Sequence, residues 1–307
     1  MRAVVYDTFG GVEQLHVAER PLPKVGPGEV LVEVRSAGVN PVDWKLMSGA
    51  LDAVLEFVFP VTPGWDVAGV VSAVGIDVPE YAVGDEVIGY VRKDVVSGGT
   101  YAEYVSAPVR TLARKPASLD WDAAAGLPLA GLTAYQVVRR LGVAPGETVL
   151  IHGGAGGVGQ IGVQVARRAG ARVLATASPA NHDLLRGLGA EPLAYGDGLV
   201  ERVRALAPAG VDVVADFVGG VREVTLAVLA AGGRHASIAD RSVTEVGGSW
   251  LWVRPDAADL AQLAGLVDAG DLVVRVAHSF DLADAADALR LSKGGHAAGK
   301  IALRVSR

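Results

Sequence analysis

The chain has 307 residues, half of them hydrophobic, a net charge of −6 and no cysteine. That length suggests two domains, and a pI near 5.5 offers no basic stripe for nucleic acid. The missing cysteines exclude disulfides, thiol nucleophiles and cysteine-ligated zinc or iron–sulfur centres. No apolar run approaches the ~18 residues of a membrane span, and the first residues lack an apolar signal core. A cytoplasmic protein with neither membrane nor nucleic-acid partners is the expectation.

Residues 1–118 read as β structure broken by turns. Ala3–Tyr6, Leu15–Ala18, Val30–Ser36, Val67–Val74 and Glu86–Tyr90 are strand-like. Turn signals at Gly10-Gly11, Pro21 to Pro23, Gly26 to Gly28, Pro63-Gly64 and Gly84-Asp85 separate them. Short strands at this spacing suggest a barrel-like β domain. Asp120–Leu141 is helical in character. From Thr148 onward strands and helices alternate: strands at 148–151, 172–176, 192–195, 211–217 and 234–238, helices at 181–188, 199–206 and 221–230. Such alternation means a parallel sheet covered by helices on both faces. Trp250–Val253 reads as a sixth strand at the sheet edge. A helix over 255–269, a strand over 272–280, a helix over 282–291 and a last strand over 300–305 complete the chain.

The stretch 147–176 is the centre of this pattern. Thr148–Ile151 is a short apolar run, Gly154-x-Gly156-x-x-Gly159 follows at once, and an amphipathic helical stripe runs from Val158 to Ala169. Gly154 suits the tight turn, Gly156 leaves room for a pyrophosphate against the backbone, and Gly159 lets the helix pack on the strand. The helix N-terminus then faces the phosphates. The strand–turn–helix–strand context is what makes the glycine triplet a dinucleotide fingerprint.

Further stretches carry a resemblance. Ala37-Gly-Val-Asn-Pro-Val-Asp43, Pro63-Gly-Trp-Asp-Val-Ala-Gly69, Val83-Gly-Asp-Glu-Val87, Gly99-Thr-Tyr-Ala-Glu-Tyr104, Pro128-Leu-Ala-Gly-Leu-Thr-Ala134, the glycine loop and His296-Ala-Ala-Gly-Lys300 resemble the zinc-free quinone oxidoreductases, zeta-crystallin among them, of the medium-chain dehydrogenase/reductase superfamily. The resemblance covers the whole chain. It implies an α/β protein: a GroES-like β-barrel domain from residues 1–119 and 255–307, with a Rossmann NADPH-binding domain inserted at 120–254 and the active site in a cleft between them. Zinc-dependent relatives carry a cysteine where this chain has Ala37–Asn40, and a His-Glu pair where it has Trp65-Asp66. No catalytic zinc site, and no other metal site, is expected.

The resemblance also implies residue roles. Gly154, Ala155, Gly156, Gly157, Val158 and Gly159 form the phosphate cradle, and Ser178, Asn181, Tyr195, Val218 and Ile238 complete the cofactor-binding set. An acid after the second strand would bond the ribose hydroxyl of NAD and repel a 2′-phosphate. Leu174-Ala-Thr-Ala-Ser-Pro179 has none, which favours NADPH. Relatives often place a lysine where this chain has Asn181, so His182 or Arg186 would have to compensate there. Asn181 and His182 also read as a helix start, and Tyr195 as a packed aromatic at a strand end. Asn40, Lys45 and Thr133 are the catalytic candidates; their alternative readings are a turn, a solvated lysine and a helix residue bonding its own backbone. Trp65 reads either as a pocket wall or as core.

The implied activity is zinc-independent hydride transfer from NADPH to a quinone or an α,β-unsaturated carbonyl. Two alternatives stay open: a non-catalytic, crystallin-like NADPH-binding protein, and an enoyl reductase acting on a polyketide-type thioester. A homodimer joined at the Rossmann edge strand is implied as well.

Overall fold

The computed structural model describes residues 1–295 and 297–306. His296, the first residue of one of the motifs above, lies outside them. The chain divides into two compact units, Met1–Leu132 with Pro255–Arg307, and Thr133–Arg254.

In the first unit a sheet runs in the order Val276–Asp281, Lys300–Arg304, Glu29–Val39, Asp66–Val74, Glu86–Tyr90 and Leu112–Arg114, with Tyr104–Pro108 also paired to Glu29–Val39. The eleven-residue strand Glu29–Val39 is therefore the hub. Its residues Val30, Val32, Val34 and Ala37 are fully buried. Register shifts between Leu31 and Val32 and between Val34 and Ser36 bend it. The last strand returns antiparallel onto it, Ile301 opposite Val39 and Arg304 opposite Ser36. The structure adds a helix, Pro41–Met47, where the sequence reading saw a turn. Asn-Pro starts it: Asn40 is the N-cap, Pro41 takes the first helical position, and Asp43 reaches back to accept from Asn40 N at 2.8 Å.

The helical stretch at 120–141 is two helices, Trp121–Gly126 and Pro128–Arg140, the second opened by its proline. Residues 120–132, assigned by sequence to the dinucleotide domain, belong to the first unit. The reason is polar as well as apolar. Asp122 accepts from Ser36 Oγ at 2.9 Å, Ser279 Oγ at 2.6 Å and Arg304 Nε at 2.8 Å. Gly38 leaves no room for a side chain, since a Cβ there would lie 2.3 Å from Ala125 O.

The second unit holds a parallel sheet in the order Glu191–Ala194, Arg172–Ala177, Thr148–His152, Val211–Asp216, Leu229–Ser237 and Ser249–Trp250. Numbered along the unit, that is 3-2-1-4-5-6, the doubly wound order, whose reversal falls between its first and fourth strands. Leu150, Leu174, Leu193, Val203, Val211, Val214 and Val228 pack one face as a core. The sixth strand is only two residues long and both are exposed. No described helix is long and apolar enough to cross a membrane.

Candidate functional site

The glycine loop lies at the carboxyl end of Thr148–His152. Gly153, with φ +73°, makes the left-handed turn that the sequence reading gave to Gly154. Gly154 is needed for closeness instead: a Cβ there would meet Ala175 Cβ at 2.8 Å. Two bonds to the second strand hold the turn, Gly153 N to Thr176 Oγ1 at 3.0 Å and Gly154 N to Thr176 O at 2.8 Å. Gly159 packs the helix on the loop so tightly that a Cβ would lie 2.1 Å from Gly153 O. Gly156 differs. A Cβ there would meet only Gly153 O, at 3.4 Å, so its outer side is open. Gly156 caps the twelve-residue helix Gly157–Arg168 without any side chain over the first turn. Gln160 N makes the first bond, to Gly156 O at 3.0 Å. The amides of Gly157, Val158 and Gly159 thus lack intrahelical acceptors and present a positive dipole end. A helix start of this kind can hold a phosphate group.

Past the second strand, Ser178 starts a short turn and receives Asn181 Nδ2 on its Oγ at 3.2 Å. Arg186 is spent on Asp183 at 2.5 Å. His182 Nε2 lies 3.4 Å from Ala177 O. Tyr195 is 63 % exposed, so the packed-aromatic reading does not describe it. Val218 is 55 % exposed at the end of the fourth strand. Thr133 and Ile238 line one small cavity of about 10 Å³ with Gln136, Val137 and Trp252, whose Nε1 has no partner. That volume holds about one water molecule.

The first unit buries a second polar cluster. Asn40, Asp43, Asp66, Tyr101 and Lys300 are all inaccessible or nearly so. Lys300 Nζ donates to Asn40 Oδ1 and, at 3.0 Å, to Val39 O, and lies 3.8 Å from Asp66 Oδ2. Asn40 Nδ2 donates to Asp66 Oδ2 at 2.8 Å, and Leu129 N to Asp66 Oδ1 at 2.8 Å. Asp43 Oδ2 accepts from Asn40 N and Tyr101 OH, both at 2.8 Å, while its Oδ1 has no partner. One ammonium here faces two carboxyls. Burial pushes both carboxyls up, Asp43 to about 7 and Asp66 to about 6, and pulls Lys300 down. Asp66 has the lysine and two donors on two oxygens. Asp43 has two donors on one oxygen and none on the other. Asp43 is therefore the carboxyl whose charged form burial disfavours more.

A profile of the "Alcohol dehydrogenase GroES-like domain" matches residues 26–117, and one of the "Zinc-binding dehydrogenase" family matches residues 188–303. The "NADPH-dependent alkenal/one oxidoreductase, chloroplastic" of Arabidopsis thaliana is 35 % identical over 98 % of this chain and 78 % of its own. The solved quinone oxidoreductase of Coxiella burnetii superposes over 100 % of this chain and 99 % of its own, with a TM-score of 0.89 and 32 % identity. The structure of a protein described as an NAD-dependent alcohol dehydrogenase covers 100 % of both chains, with a TM-score of 0.89 and 34 % identity. The chain belongs to the quinone oxidoreductase family of the medium-chain dehydrogenase/reductase superfamily. Its fold is the GroES-like domain plus Rossmann sheet of that superfamily, and the family makes this oxidoreductase an NAD(P)-type enzyme.

Among the described residues of this oxidoreductase, no group of three or more His, Asp or Glu side chains is placed to hold a metal ion. Trp65 packs edge-on against Tyr90 at 5.9 Å and is 5 % exposed. Lys45 lies 5.5 Å from the Trp44 ring centroid, half-buried. Sequence reasoning did not single out Asp66, Tyr101 and Lys300 as a unit with Asn40. A signal was available: Asp66 and Lys300 are charges at the starts of strands that run on directly into apolar residues. Asp216 was missed in the same way, as the charged end of Val-Asp-Val-Val-Ala-Asp.

Proposed function

We propose that this protein reduces quinones or α,β-unsaturated carbonyls with NADPH. The observation that carries the cofactor choice is the end of the second strand, where Thr176, Ala177 and Ser178 stand and no carboxylate does. A carboxylate there would repel a 2′-phosphate, whereas the Ser178 hydroxyl donates to one. The Arabidopsis relative's dependence on NADPH supports this reading. The description of one structural neighbour as NAD-dependent favours NAD instead, and the same experiment weighs the two.

The amides of Gly157, Val158 and Gly159 would hold the pyrophosphate, Ser178 with Asn181 the 2′-phosphate, and Val218 and Ile238 the walls. Bound NADPH supplies a hydride. Conjugated acceptors suit such an enzyme because the charge that develops on them is delocalised, which lowers the demand on oxyanion donors. Asn40 is the proposed positioning residue; Lys45 and Thr133 remain the other catalytic candidates. Its amide is fixed by Lys300 and Asp66, does not titrate, and retains one N–H and one lone pair. Asn40→Ala is expected to lower turnover roughly ten- to a thousandfold, the range from misorientation to loss of a donor.

The test is nucleotide consumption against a panel of quinones, enals and enones, with NADPH and NADH in parallel. Turnover with NADPH preferred supports the proposal. Tight NADPH binding without turnover of any acceptor supports the crystallin-like reading, and turnover confined to thioesters supports the enoyl reductase. We propose in addition that two copies pair at the Ser249–Trp250 edge, where Trp250 is 38 % exposed on the edge strand of the sheet. Sedimentation at micromolar concentration reads this directly.

A further inference from the structure

The carboxyl ends of the fourth and fifth strands of the Rossmann unit share a buried polar clamp that phosphate binding does not use. Asp216 is 3 % exposed and Ser237 is fully buried. Asp216 Oδ1 accepts from Val218 N and Gly219 N, both at 2.9 Å. Its other oxygen accepts from Ser237 Oγ at 2.7 Å. Ser237 Oγ accepts in turn from Ala239 N at 3.1 Å and Asp240 N at 2.9 Å. One carboxylate and one hydroxyl thus collect four backbone amides from two separate loops.

The first of those loops has little stiffness of its own. Gly219 and Gly220 both have positive φ, +83° and +69°, which unfolded glycines adopt and leave freely. With the clamp closed, the loops touch each other and the glycine turn. A Cβ on Gly219 would lie 3.1 Å from Ala239 Cβ. A Cβ on Gly153 would lie 2.5 Å from Val218 Cγ1, so Val218 rests directly over the turn that opens the phosphate cradle. His152 stands opposite Asp216 in the sheet, 1 % exposed, with Nε2 unpartnered. Burial pulls its pKa down to about 4, so it adds no cation to the clamp near neutral pH. The carboxylate is held by amides and a hydroxyl, and the strand order reverses beside it, where open α/β sheets bind their ligands.

We infer that Asp216 and Ser237 are positioning residues for the dinucleotide: they hold loops 217–220 and 238–241 as preformed walls of the cofactor groove. This rests on the proposed NADPH reading. The loops are ordered before binding, so the nucleotide does not bear the entropy of ordering them.

The experiment measures NADPH dissociation constants and steady-state rates for Asp216→Ala, Asp216→Asn and Ser237→Ala, with amide hydrogen exchange over both loops. Asp216→Ala is expected to raise the NADPH dissociation constant about tenfold or more, as loss of at least one net hydrogen bond would. Asp216→Asn keeps an oxygen for Val218 and Gly219 but cannot accept from Ser237 Oγ, so it should restore part of the affinity. Ser237→Ala, which leaves those two amides bonded, should speed exchange at 239–240 and weaken NADPH binding severalfold. For all three, kcat at saturating NADPH should stay within about threefold of wild type. Faster exchange in Ser237→Ala with an unchanged dissociation constant would overturn the inference, and so would equal affinities for the alanine and asparagine variants of Asp216. Ser237→Ala keeps the question open to refutation if Asp216→Ala does not fold. If the wild type binds neither nucleotide, the functional reading falls and this inference with it. If the wild type binds and the variants bind equally well, only this inference falls.

Discussion

Asp43 gives the account of the buried cluster its sharpest prediction. Its carboxyl is fully buried, and burial lifts it from 3.8 to about 7. A carboxyl with a raised pKa holds its proton more tightly when folded. The stability it contributes is complete below the unfolded value and is lost as pH rises through the folded one. At ~1.4 kcal/mol per pH unit, the full span is a few kcal/mol, of which roughly half or more falls between about pH 5 and about pH 8. Asp66, raised to about 6, acts in the same direction over the lower part of that range. Asp43→Asn removes the titration and keeps the geometry. Its amide oxygen can accept from Asn40 N and Tyr101 OH, and its NH₂ takes the place of the oxygen that has no partner. Denaturant unfolding of both proteins at about pH 5, 6.5 and 8 reads the difference. Wild type should lose roughly 2–3 kcal/mol more than the variant across that range, and the variant should be the more stable at the alkaline end. Parallel stability curves would refute the raised carboxyl at Asp43.

Three further perturbations test other parts. Lys300→Met strips the cation from Asp66 and is expected to cost about 3–5 kcal/mol near neutral pH, as an unpaired buried charge does; adding Asp66→Asn should return most of it, and urea midpoints check both. Gly159→Ala puts a carbon 2.1 Å from Gly153 O, which no flexible side chain can relieve, so the turn must move; NADPH affinity measured by fluorescence should fall at least tenfold, with unfolding destabilised by about 1–3 kcal/mol. Ser178→Asp should reverse nucleotide preference toward NADH by charge repulsion at the 2′-phosphate, read as the ratio of kcat/KM values.

The Rossmann unit was the more legible half of the sequence. Thr148–His152 and Arg172–Ala177 carry apolar runs followed by a glycine or serine turn, and Leu199–Leu206 was bounded to the residue. The first unit was harder. Tyr104–Pro108 and Leu112–Arg114 are short, with no clear alternation, and are defined by their pairing with distant strands. The helix after Asn40 was hidden because Asn-Pro serves turns and helix starts alike. The two buried clusters were only half visible. Asp43, Asp66, Lys300 and Asp216 stand out locally as charges in apolar runs, but sequence spacing does not say that residues 43, 66, 101 and 300 converge, nor that 216 and 237 do. Strand register sets those meetings, with Asp66 opposite Gly38 and Asp216 opposite Ser237.

The central claim is hydride transfer from NADPH to a conjugated acceptor. The most direct measurement uses two samples of NADPH, each deuterated on one face of the reactive nicotinamide carbon, with a simple enone as acceptor. One sample should give a saturated ketone with one deuterium at the β-carbon and the other an unlabelled one, with no stoichiometric metal in the protein. A product without label from both samples, or an enone left unreduced by a protein that binds NADPH tightly, would contradict hydride transfer.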